Sequence, residues 1–183
     1  MVLKSSIRKK YFLKRKKKYF DIENKFFFPI KNLLKKNNSS KKLSIALYYP
    51  ISFEVNILKI VNIENFKNFN FLLPVVEKKG LMNFYTWKKN DILLLNKYGI
   101  PEPIKSKPIV PDIMFLPLLS FDRFKNRLGY GKGYYDKYLN KHFLKKKKIF
   151  TVGVAFSFQK YNKLPINNRD FKLDLIITEK GIL

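Results

Sequence analysis

The chain has 183 residues, of which 46% are hydrophobic, so it is long enough for one globular domain with a core and too short for two to be expected. It contains no cysteine and only one histidine, which excludes disulfides, thiolate or His-rich metal sites and a cysteine nucleophile. Its 39 lysines and arginines against 13 acids give a formal net charge of +26. These cations are mostly Lys and are spread over the whole chain. We therefore interpret the charge as a compositional bias and predict no specific nucleic-acid partner.

Two helices are predicted at the beginning of the sequence. The first covers residues 4–20, where apolar residues recur with helical spacing and no Pro or Gly interrupts them. On this helix Lys4 and Arg8 are spaced i, i+4, so both cations project from one face. The second helix is expected over residues 21–36, broken near Pro29 and followed by a loop at residues 37–40.

The middle of the chain is predicted to contain strands separated by a helix and by turns. Strands are expected over residues 43–49 and 70–76, with a helix over 56–65 between them. A short edge strand or hairpin arm over 82–87 follows, and then a proline-rich connection over 97–111. Glu54 follows the first strand closely. In an open α/β sheet, ligands bind at that end of the strands.

The last third of the chain completes the predicted sheet. The apolar run at residues 111–119 has the length and flanking prolines of a buried strand, and further strands are expected over 150–156 and 173–178, with a helix beginning at Tyr134. Strands separated by helical or loop segments indicate the α/β class. We therefore predict a single domain, residues 1–183, with a mostly parallel, doubly wound sheet and helices on both faces.

The ten residues RLGYGKGYYD, from Arg127 to Asp136, have the composition of a phosphate cradle. Gly129, Gly131 and Gly133 alternate, so backbone N–H groups can approach an anion without a Cβ in the way. Lys132 adds a cation, and the N-terminus of the helix that begins at Tyr134 would face the same anion.

The spacing of this stretch excludes two common phosphate loops. A Walker loop needs four residues between its first glycine and a Gly-Lys-Ser/Thr, and no Ser or Thr follows Lys132. In the dinucleotide fingerprint the third glycine comes three positions after the second, whereas here the gap is two. Judged on the glycines alone, an ordinary surface turn remains an alternative.

The string PLLSFDRFKNRLGYGKGYYDKYL, residues 117–139, resembles the signature of the 5-formyltetrahydrofolate cyclo-ligase family, also called methenyltetrahydrofolate synthetases. Shorter matches follow in family order along the chain: Lys4-x-x-x-Arg8, Ala46-Leu47-Tyr48 with Glu54, Leu73-Pro74-Val75, Met82-x-Phe84, Gly99-Ile100-x-Glu102-Pro103 and Asp170-x-x-x-Asp174. The resemblance therefore extends from end to end. One small departure is Lys137, which stands where Arg often follows the Asp in the family.

The resemblance implies an ATP-dependent ligase that converts 5-formyltetrahydrofolate to 5,10-methenyltetrahydrofolate with Mg²⁺, releasing ADP and phosphate. It assigns ATP binding to Lys4, Arg8, Arg127, Leu128, Gly129, Tyr130, Gly131, Lys132, Gly133, Tyr134 and Tyr135. It assigns folate binding to Tyr49, Glu54, Met82, Phe84, Trp87 and Tyr134, and metal binding to Asp136 and Asp170. Lys132, nearest the transferred phosphoryl group, and Tyr134, bordering both ligands, are the expected catalytic residues.

The sequence also bears on location and on other functions. No apolar run approaches the roughly 18 residues that span a bilayer, and the basic N-terminal region lacks the hydrophobic core of a signal peptide. Because loss of a cleaved presequence would discard Lys4 and Arg8, we predict a cytoplasmic enzyme, and we expect a monomer. Two other functions stay open: a basic RNA-binding module with stacking aromatics, and a phosphate-binding isomerase or transferase on a similar scaffold.

Overall fold

Residues 3–35, 42–66 and 68–183, which the computed structural model describes, form three α-helices and eleven strands. The helices are α1 (Lys4–Lys18), α2 (Phe28–Lys35) and α3 (Tyr134–Leu144). The strands are β1 (Ser44–Ala46), β2 (Asn70–Val76), β3 (Met82–Thr86), β4 (Leu93–Leu95), β5 (Pro101–Pro103), β6 (Ile113–Pro117), β7 (Ser120–Phe121), β8 (Arg127–Leu128), β9 (Phe150–Val154), β10 (Leu175–Thr178) and β11 (Gly181–Ile182). The loop predicted at residues 37–40 lies outside the described residues.

Seven strands form one sheet in the order β11-β10-β9-β6-β1-β2-β3. The five inner strands are parallel to one another, and antiparallel β3 and β11 form the two edges. The predicted mostly parallel sheet is therefore confirmed. Counted along the chain, the parallel strands lie in the order 2-1-3-4-5, so the winding direction reverses between β1 and β6. Such a reversal opens a crevice at the carboxyl ends of the two strands, where ligands bind in open α/β sheets.

Helical segments cover the sheet on both faces, as predicted. On β6, Ile113 and Phe115 belong to one core cluster, whereas Met114 and Leu116 belong to the other, following the two-residue period of a strand. α2 and 3-10 helices cover the first face, and α3 covers the second through Tyr138. Because β6 is buried on both faces, it appears in the sequence as a continuous apolar run, and this made it predictable.

α1 packs at the end of the sheet where the glycine stretch lies. Its buried residues Ile7 and Tyr11 share a third core cluster with Leu119, Leu128 and Leu164. This contact brings the first two turns of α1 next to the residues that follow β8. With 15 residues α1 is also the longest described helix, and none of the described helices combines the length and apolar composition needed to cross a membrane.

Two of the predicted helices differ from the structure in kind or in where they begin, and the strand predicted over residues 43–49 is shorter, Ser44–Ala46. Residues 56–65 form two 3-10 helices, Ile57–Asn62 and Glu64–Phe66, instead of one α-helix; this segment is rich in β-branched residues, which lose rotamer freedom in a helix. The second predicted helix begins only at Phe28, after a 3-10 helix at Asn24–Phe27, and Pro29 stands in its first turn, where no N–H is needed. The remaining 3-10 helices lie at Lys78–Gly80 and Ser157–Gln159.

The predicted proline-rich connection contains a strand that the sequence did not reveal. β5 pairs with β4 in an antiparallel hairpin, with Leu95 opposite Pro101 and Leu93 opposite Pro103. Proline is tolerated there because a two-stranded hairpin has free edges, on which a strand needs no N–H donor.

Candidate active site

A tight hairpin positions the glycine stretch after β6. β7 and β8 pair with each other, and the buried Asp122 closes their turn by accepting hydrogen bonds from the backbone N–H groups of Phe124 (2.9 Å) and Asn126 (3.1 Å). A third bond, from the Leu164 N–H (3.0 Å), ties the turn to the rest of the protein. The hairpin thus delivers the chain from the end of β6 into residues 129–133 in a fixed direction.

The glycines give this stretch, hereafter the glycine loop (residues 129–133), a backbone that other residues cannot readily adopt. Gly131 has a φ of +100° and Gly133 a φ of +69°. Gly133 is also the N-cap of α3, and it has no side chain with which to cap the helix. The first N–H groups of α3 therefore stay available to an anion, as the sequence suggested.

The glycine loop borders a cleft of about 720 Å³. All but two of the predicted site residues line this cleft: Lys4, Arg8, Tyr49, Glu54, Met82, Arg127, Leu128, Gly129, Tyr130, Gly131, Lys132, Gly133, Tyr134, Tyr135, Asp136 and Asp170. Pro117 at the end of β6 and Tyr48 after β1 line it too, so the cleft lies at the reversal point of the sheet.

Three cations from distant parts of the sequence meet at one end of the cleft. The Arg8 guanidinium donates from Nε to the Gly129 carbonyl oxygen at 2.9 Å. Arg127 forms an ion pair with Asp136, with 2.8 Å between Nη2 and Oδ1, and Lys4 forms an ion pair with Asp170. The Arg127 Nε is buried and has no hydrogen-bond partner. This end of the cleft therefore offers positive charge and an unused N–H donor.

The two predicted metal ligands lie at the same end. Asp136 also accepts a hydrogen bond from the Phe171 N–H at 3.2 Å, and Asp170 accepts one from the Asn167 N–H at 2.8 Å. Within the described part of the chain, no group of three or more His, Cys, Asp or Glu side chains could hold a metal ion by itself. Two carboxylates fit Mg²⁺ nevertheless, because this ion is commonly held by one or two carboxylates together with substrate phosphates and water.

Glu54 lines the same cleft and is 5% exposed. Its Oε2 accepts a hydrogen bond from the Ile51 N–H at 2.9 Å, whereas its Oε1 is buried without a hydrogen-bond partner. Burial raises the pKa of Glu54 to about 7, although the nearby Arg15, the Ile51 N–H and the Tyr130 hydroxyl oppose this rise. Glu54 is therefore an acceptor that a ligand with N–H donors could satisfy.

Arg15 is a functional candidate that the sequence analysis did not single out. It is fully buried on α1, and its Nη1 lies 4.0 Å from Glu54 Oε1. The available signal was its position: Arg15 follows Ile7 and Tyr11 at helical spacing, on the apolar face of α1. In a sequence with 39 Lys and Arg residues, that position alone did not distinguish it from a surface cation.

Phe84 and Trp87 are the two predicted folate residues that do not line the cleft. Phe84 is fully buried and packs edge-on against Tyr138 of α3, with 5.0 Å between ring centroids. Trp87 lies in the core cluster on the opposite face of the sheet, and its Nε1 is buried without a hydrogen-bond partner. Met82, two residues before Phe84, does reach the cleft.

The β4–β5 hairpin forms one wall of the cleft. Its turn carries Tyr98, whose hydroxyl lies 2.8 Å from the Tyr134 hydroxyl at the start of α3. At its base, Glu102 accepts hydrogen bonds from the Val76 N–H (2.8 Å) and from Asn96 Nδ2 (2.7 Å). The hairpin is thus fixed to β2 through Glu102 and contacts the start of α3 through Tyr98.

Comparisons with known proteins agree with this architecture. The sequence profile of the 5-formyltetrahydrofolate cyclo-ligase family matches residues 2–179. The 5-formyltetrahydrofolate cyclo-ligase of Mycoplasma genitalium is 34% identical over 137 residues, covering 73% of this chain and 71% of that protein. The enzyme of the same name from Haemophilus influenzae is 31% identical over 142 residues, covering 73% and 75%.

Solved structures lead to the same family. The 5,10-methenyltetrahydrofolate synthetase of Aquifex aeolicus has a TM-score of 0.74 to this protein at 32% identity, covering 99% of this chain and 92% of that one. The synthetase of Mycoplasma pneumoniae has a TM-score of 0.66 at 26% identity, covering 96% and 98%. The profile match over nearly the whole chain confirms what the glycine stretch suggested: the chain belongs to the 5-formyltetrahydrofolate cyclo-ligase family.

Proposed function

We propose that the protein catalyses the ATP- and Mg²⁺-dependent cyclisation of 5-formyltetrahydrofolate to 5,10-methenyltetrahydrofolate, with release of ADP and phosphate. The observation that carries the proposal is that one cleft has two kinds of unpartnered group in its lining. Beside its three cations, Arg127 has a buried N–H without a partner, and Glu54 has a buried acceptor oxygen without a geometric hydrogen bond. A phosphate group satisfies the first, and a pterin ring with its N–H donors satisfies the second.

In this proposal ATP binds at the cationic end. Lys4, Arg8 and Arg127 contact its phosphates, and the glycine loop with the first turn of α3 supplies backbone N–H groups. Lys132, which is exposed in the loop, reaches the transferred phosphoryl group and neutralises the charge that develops on it. Leu128, Tyr130 and Tyr135 complete the wall behind the nucleotide.

The folate binds at Glu54 and along the β3 side of the cleft. Glu54 accepts hydrogen bonds from the pterin, while Tyr49 and Met82 contact its flat rings. Phe84 supports Met82 from the core below, and Trp87 belongs to the cluster on the opposite face. Tyr134, which begins α3 and touches Tyr98, borders both substrates.

Asp136 and Asp170 would hold the metal. When bound, Mg²⁺ neutralises phosphate charge and helps to orient the phosphoryl group. Both carboxylates are paired with cations of the ATP site, Asp136 with Arg127 and Asp170 with Lys4. A phosphate arriving with its metal would therefore supply each cation with an anion and each carboxylate with a cation.

The chemistry needs positioning more than proton transfer. The formyl oxygen attacks the γ-phosphorus of ATP and ADP leaves, which converts a poor leaving group into a phosphate ester. The nitrogen N10 then attacks the activated formyl carbon, the carbon–oxygen bond breaks, phosphate departs, and N10 loses its proton. The protein must hold both substrates in line and exclude water during these steps.

The proposal also covers location and assembly. Lys4 and Arg8 line the cleft, so the first residues form part of the site and are not a removable segment. The proposed enzyme is a monomer that works in the cytoplasm.

The test follows the near-ultraviolet absorbance of methenyltetrahydrofolate after addition of 5-formyltetrahydrofolate, with and without Mg·ATP. We expect a rise that requires ATP, together with one ADP for each product molecule. Lys132→Ala should lower turnover far more than folate affinity, while Lys141→Ala, which removes an exposed cation from α3, should behave as wild type. A folded wild-type protein that gives no rise would refute the proposal.

A further inference from the structure

Arg15 uses its guanidinium to join three segments of the chain. Nε donates to the Ser52 carbonyl oxygen at 3.0 Å, Nη1 donates to the Leu118 carbonyl oxygen at 3.2 Å, and Nη2 donates to the Tyr130 hydroxyl. The side chain is fully buried, and it lies behind the cleft rather than in its lining. A buried arginine is stable only when its donors and its charge are matched, so these contacts fix its position.

One of these contacts holds the turn that presents Glu54. Ser52 and Phe53 both have left-handed φ values, +50° and +64°, which are unfavourable for residues with a side chain. The turn is closed by two bonds between Ile51 and Glu54: the Glu54 N–H donates to the Ile51 carbonyl oxygen, and the Ile51 N–H donates to Glu54 Oε2. By holding the Ser52 carbonyl, Arg15 stabilises a strained backbone directly before the carboxylate.

A second contact reaches the glycine loop. Tyr130 lies between Gly129 and Gly131, and its hydroxyl accepts the hydrogen bond from Arg15 Nη2. The Arg15 guanidinium also lies near the face of the same ring, 5.5 Å from its centroid. The orientation of Tyr130, and with it the middle of the glycine loop, is therefore tied to the same side chain that holds the Glu54 turn.

We propose that Arg15 is a positioning residue that couples the glycine loop to the turn at Glu54, so that anion binding at the loop and folate binding at Glu54 favour each other. The inference rests on the proposed function, because it assumes that the two substrates occupy these two places. Coupling through one residue requires that it contact both sites, and Arg15 does so through Tyr130 and through the turn at Ser52.

The surroundings of Glu54 support this role. The ionisable groups that face its carboxylate are Arg15 on α1, Tyr48 after β1, and Tyr130 and Tyr135 of the glycine-loop region. Among them Arg15 alone is cationic. The Tyr48 hydroxyl donates to the Val55 carbonyl oxygen at 2.8 Å, so it is engaged elsewhere. The 4.0 Å between Arg15 Nη1 and Glu54 Oε1 gives attraction without a hydrogen bond. The Tyr130 hydroxyl also interacts with the Glu54 carboxylate but makes no geometrically acceptable hydrogen bond to Oε1, so a substrate donor can still compete for that oxygen.

The first experiment measures the coupling itself. The dissociation constants of 5-formyltetrahydrofolate and of a non-hydrolysable ATP analogue with Mg²⁺ are determined by calorimetry, each alone and in the presence of the other ligand. We expect each ligand to tighten the other by about tenfold in the wild type, within the usual range of such couplings. Arg15→Met, which keeps the length of the side chain but removes its donors and charge, should reduce the coupling to about twofold or less.

Two further variants keep this test decisive. Tyr130→Phe removes the hydroxyl that joins Arg15 to the glycine loop, on a residue that is 40% exposed, so the fold is retained even if Arg15→Met does not fold. It should reduce the coupling; because the same hydroxyl interacts with Glu54, the folate affinity measured without the ATP analogue gives its direct contribution separately. Lys16→Met removes an exposed cation from the neighbouring position of α1 and should leave the coupling at its wild-type value.

A second measurement is independent of the substrates. The titration of Glu54 is followed by infrared difference spectroscopy, with Glu54→Gln used to assign the carboxyl band. Loss of the neighbouring cation should move the midpoint of the titration upward by about one pH unit or more in Arg15→Met, and Lys16→Met should leave it unchanged.

The outcomes separate the inference from the proposed function. If the wild type binds both ligands without coupling, or if the coupling survives in both Arg15→Met and Tyr130→Phe, the role of Arg15 is refuted and the proposed function stands. If the wild type binds neither ligand, the proposed function fails, and the coupling role of Arg15 fails with it. An unchanged Glu54 titration in folded Arg15→Met would also refute the inference, whatever the substrates do.

Discussion

The Arg8 guanidinium lies so close to Gly131 that a Cβ at this position would come within 3.1 Å of Arg8 Cζ and 3.3 Å of Nη2. The same guanidinium donates to the Gly129 carbonyl oxygen at 2.9 Å. α1 therefore contacts the backbone of the glycine loop through Arg8, in addition to the bond from Arg15 to the Tyr130 hydroxyl. The loop can accept the Arg8 side chain because residue 131 has none of its own.

Gly131→Ala should weaken ATP binding and lower stability. The new methyl group pushes Arg8 away from the loop. In addition, the φ of +100° at position 131 is strained for any residue with a Cβ. We expect the KM for ATP to rise about tenfold or more, as loss of a charge-assisted hydrogen bond implies. Gly181→Ala is the matched control, since Gly181 has a φ of +115° and open space around it, away from the cleft. It should lower the melting temperature and leave the KM for ATP unchanged; an equal rise in both variants would contradict the role of the Arg8 contact.

Asp136→Asn should impair both the proposed metal site and the fold around it. The change removes the charge that pairs with Arg127, whose side chain is only 5% exposed, so we expect a loss of about 1–3 kcal/mol in the free energy of unfolding. The Mg²⁺ concentration for half-maximal activity should rise about tenfold or more. Asp21→Asn, which breaks an exposed ion pair with Lys59, serves as the control and should change neither quantity much. An unaltered Mg²⁺ requirement in Asp136→Asn would exclude Asp136 as a metal ligand.

Glu54 should make the stability of the protein depend on pH in the direction opposite to that of most carboxylates. Burial raises its pKa from 4.5 to about 7, so between these values the folded protein keeps a proton that the unfolded chain has lost. Stability contributed by Glu54 is therefore present below pH 4.5, decreases as the pH rises towards 7, and is constant above that. The full difference is about 3 kcal/mol.

Urea unfolding of wild type and Glu54→Gln at several pH values measures this effect, because the other titrations cancel in the difference. Relative to wild type, Glu54→Gln should gain stability steadily between about pH 4.5 and 7. A difference that does not vary with pH would show that Glu54 titrates normally in the folded protein.

The hydrogen bond between Tyr98 and Tyr134 should help to hold the β4–β5 hairpin over the cleft. The two hydroxyls are 2.8 Å apart. Removing either with Tyr98→Phe or Tyr134→Phe should raise the KM for folate a few-fold, since a neutral hydrogen bond contributes about 0.5–1.5 kcal/mol. The double variant should cost no more in KM than the larger single change, because the bond is already lost. Additive effects would mean that the two hydroxyls act separately.

Much of the fold could be predicted because its central strands carry strong local signals. β2 occupies the predicted residues 70–76, and β6 lies inside the predicted apolar run. The hairpins β4–β5 and β7–β8 could not be predicted: their strands are two or three residues long, and two of the three residues in β5 are proline. Such short strands depend on tertiary contacts, which no local pattern reports.

Some residues of the candidate site could also be predicted from the sequence, and others could not. The glycine loop could be predicted because φ values above zero and close approach to an anion both favour glycine, and the alternating glycines are a recognisable sequence pattern. The role of Arg15 could not be found, because a buried arginine and a surface arginine look the same in a basic sequence. Phe84 and Trp87 show the opposite limit. Phe84 shares a face with Met82 but packs against Tyr138, and Trp87 belongs to the cluster on the other face, so packing rather than the sequence pattern decides which side chains reach the cleft.

The ion pair between Lys4 and Asp170 has a consequence for how the enzyme is made. It joins residues 166 positions apart, and the Arg8 contact with Gly129 spans 121 positions. Contacts between such distant positions form late, because a long loop must close before they stabilise anything. Until a ribosome has added residues 129 and 170, Arg8 and Lys4 lack these two partners. If the cleft binds ATP as proposed, a chain that ends before Asp170 therefore has an incomplete cationic site and should not consume ATP there.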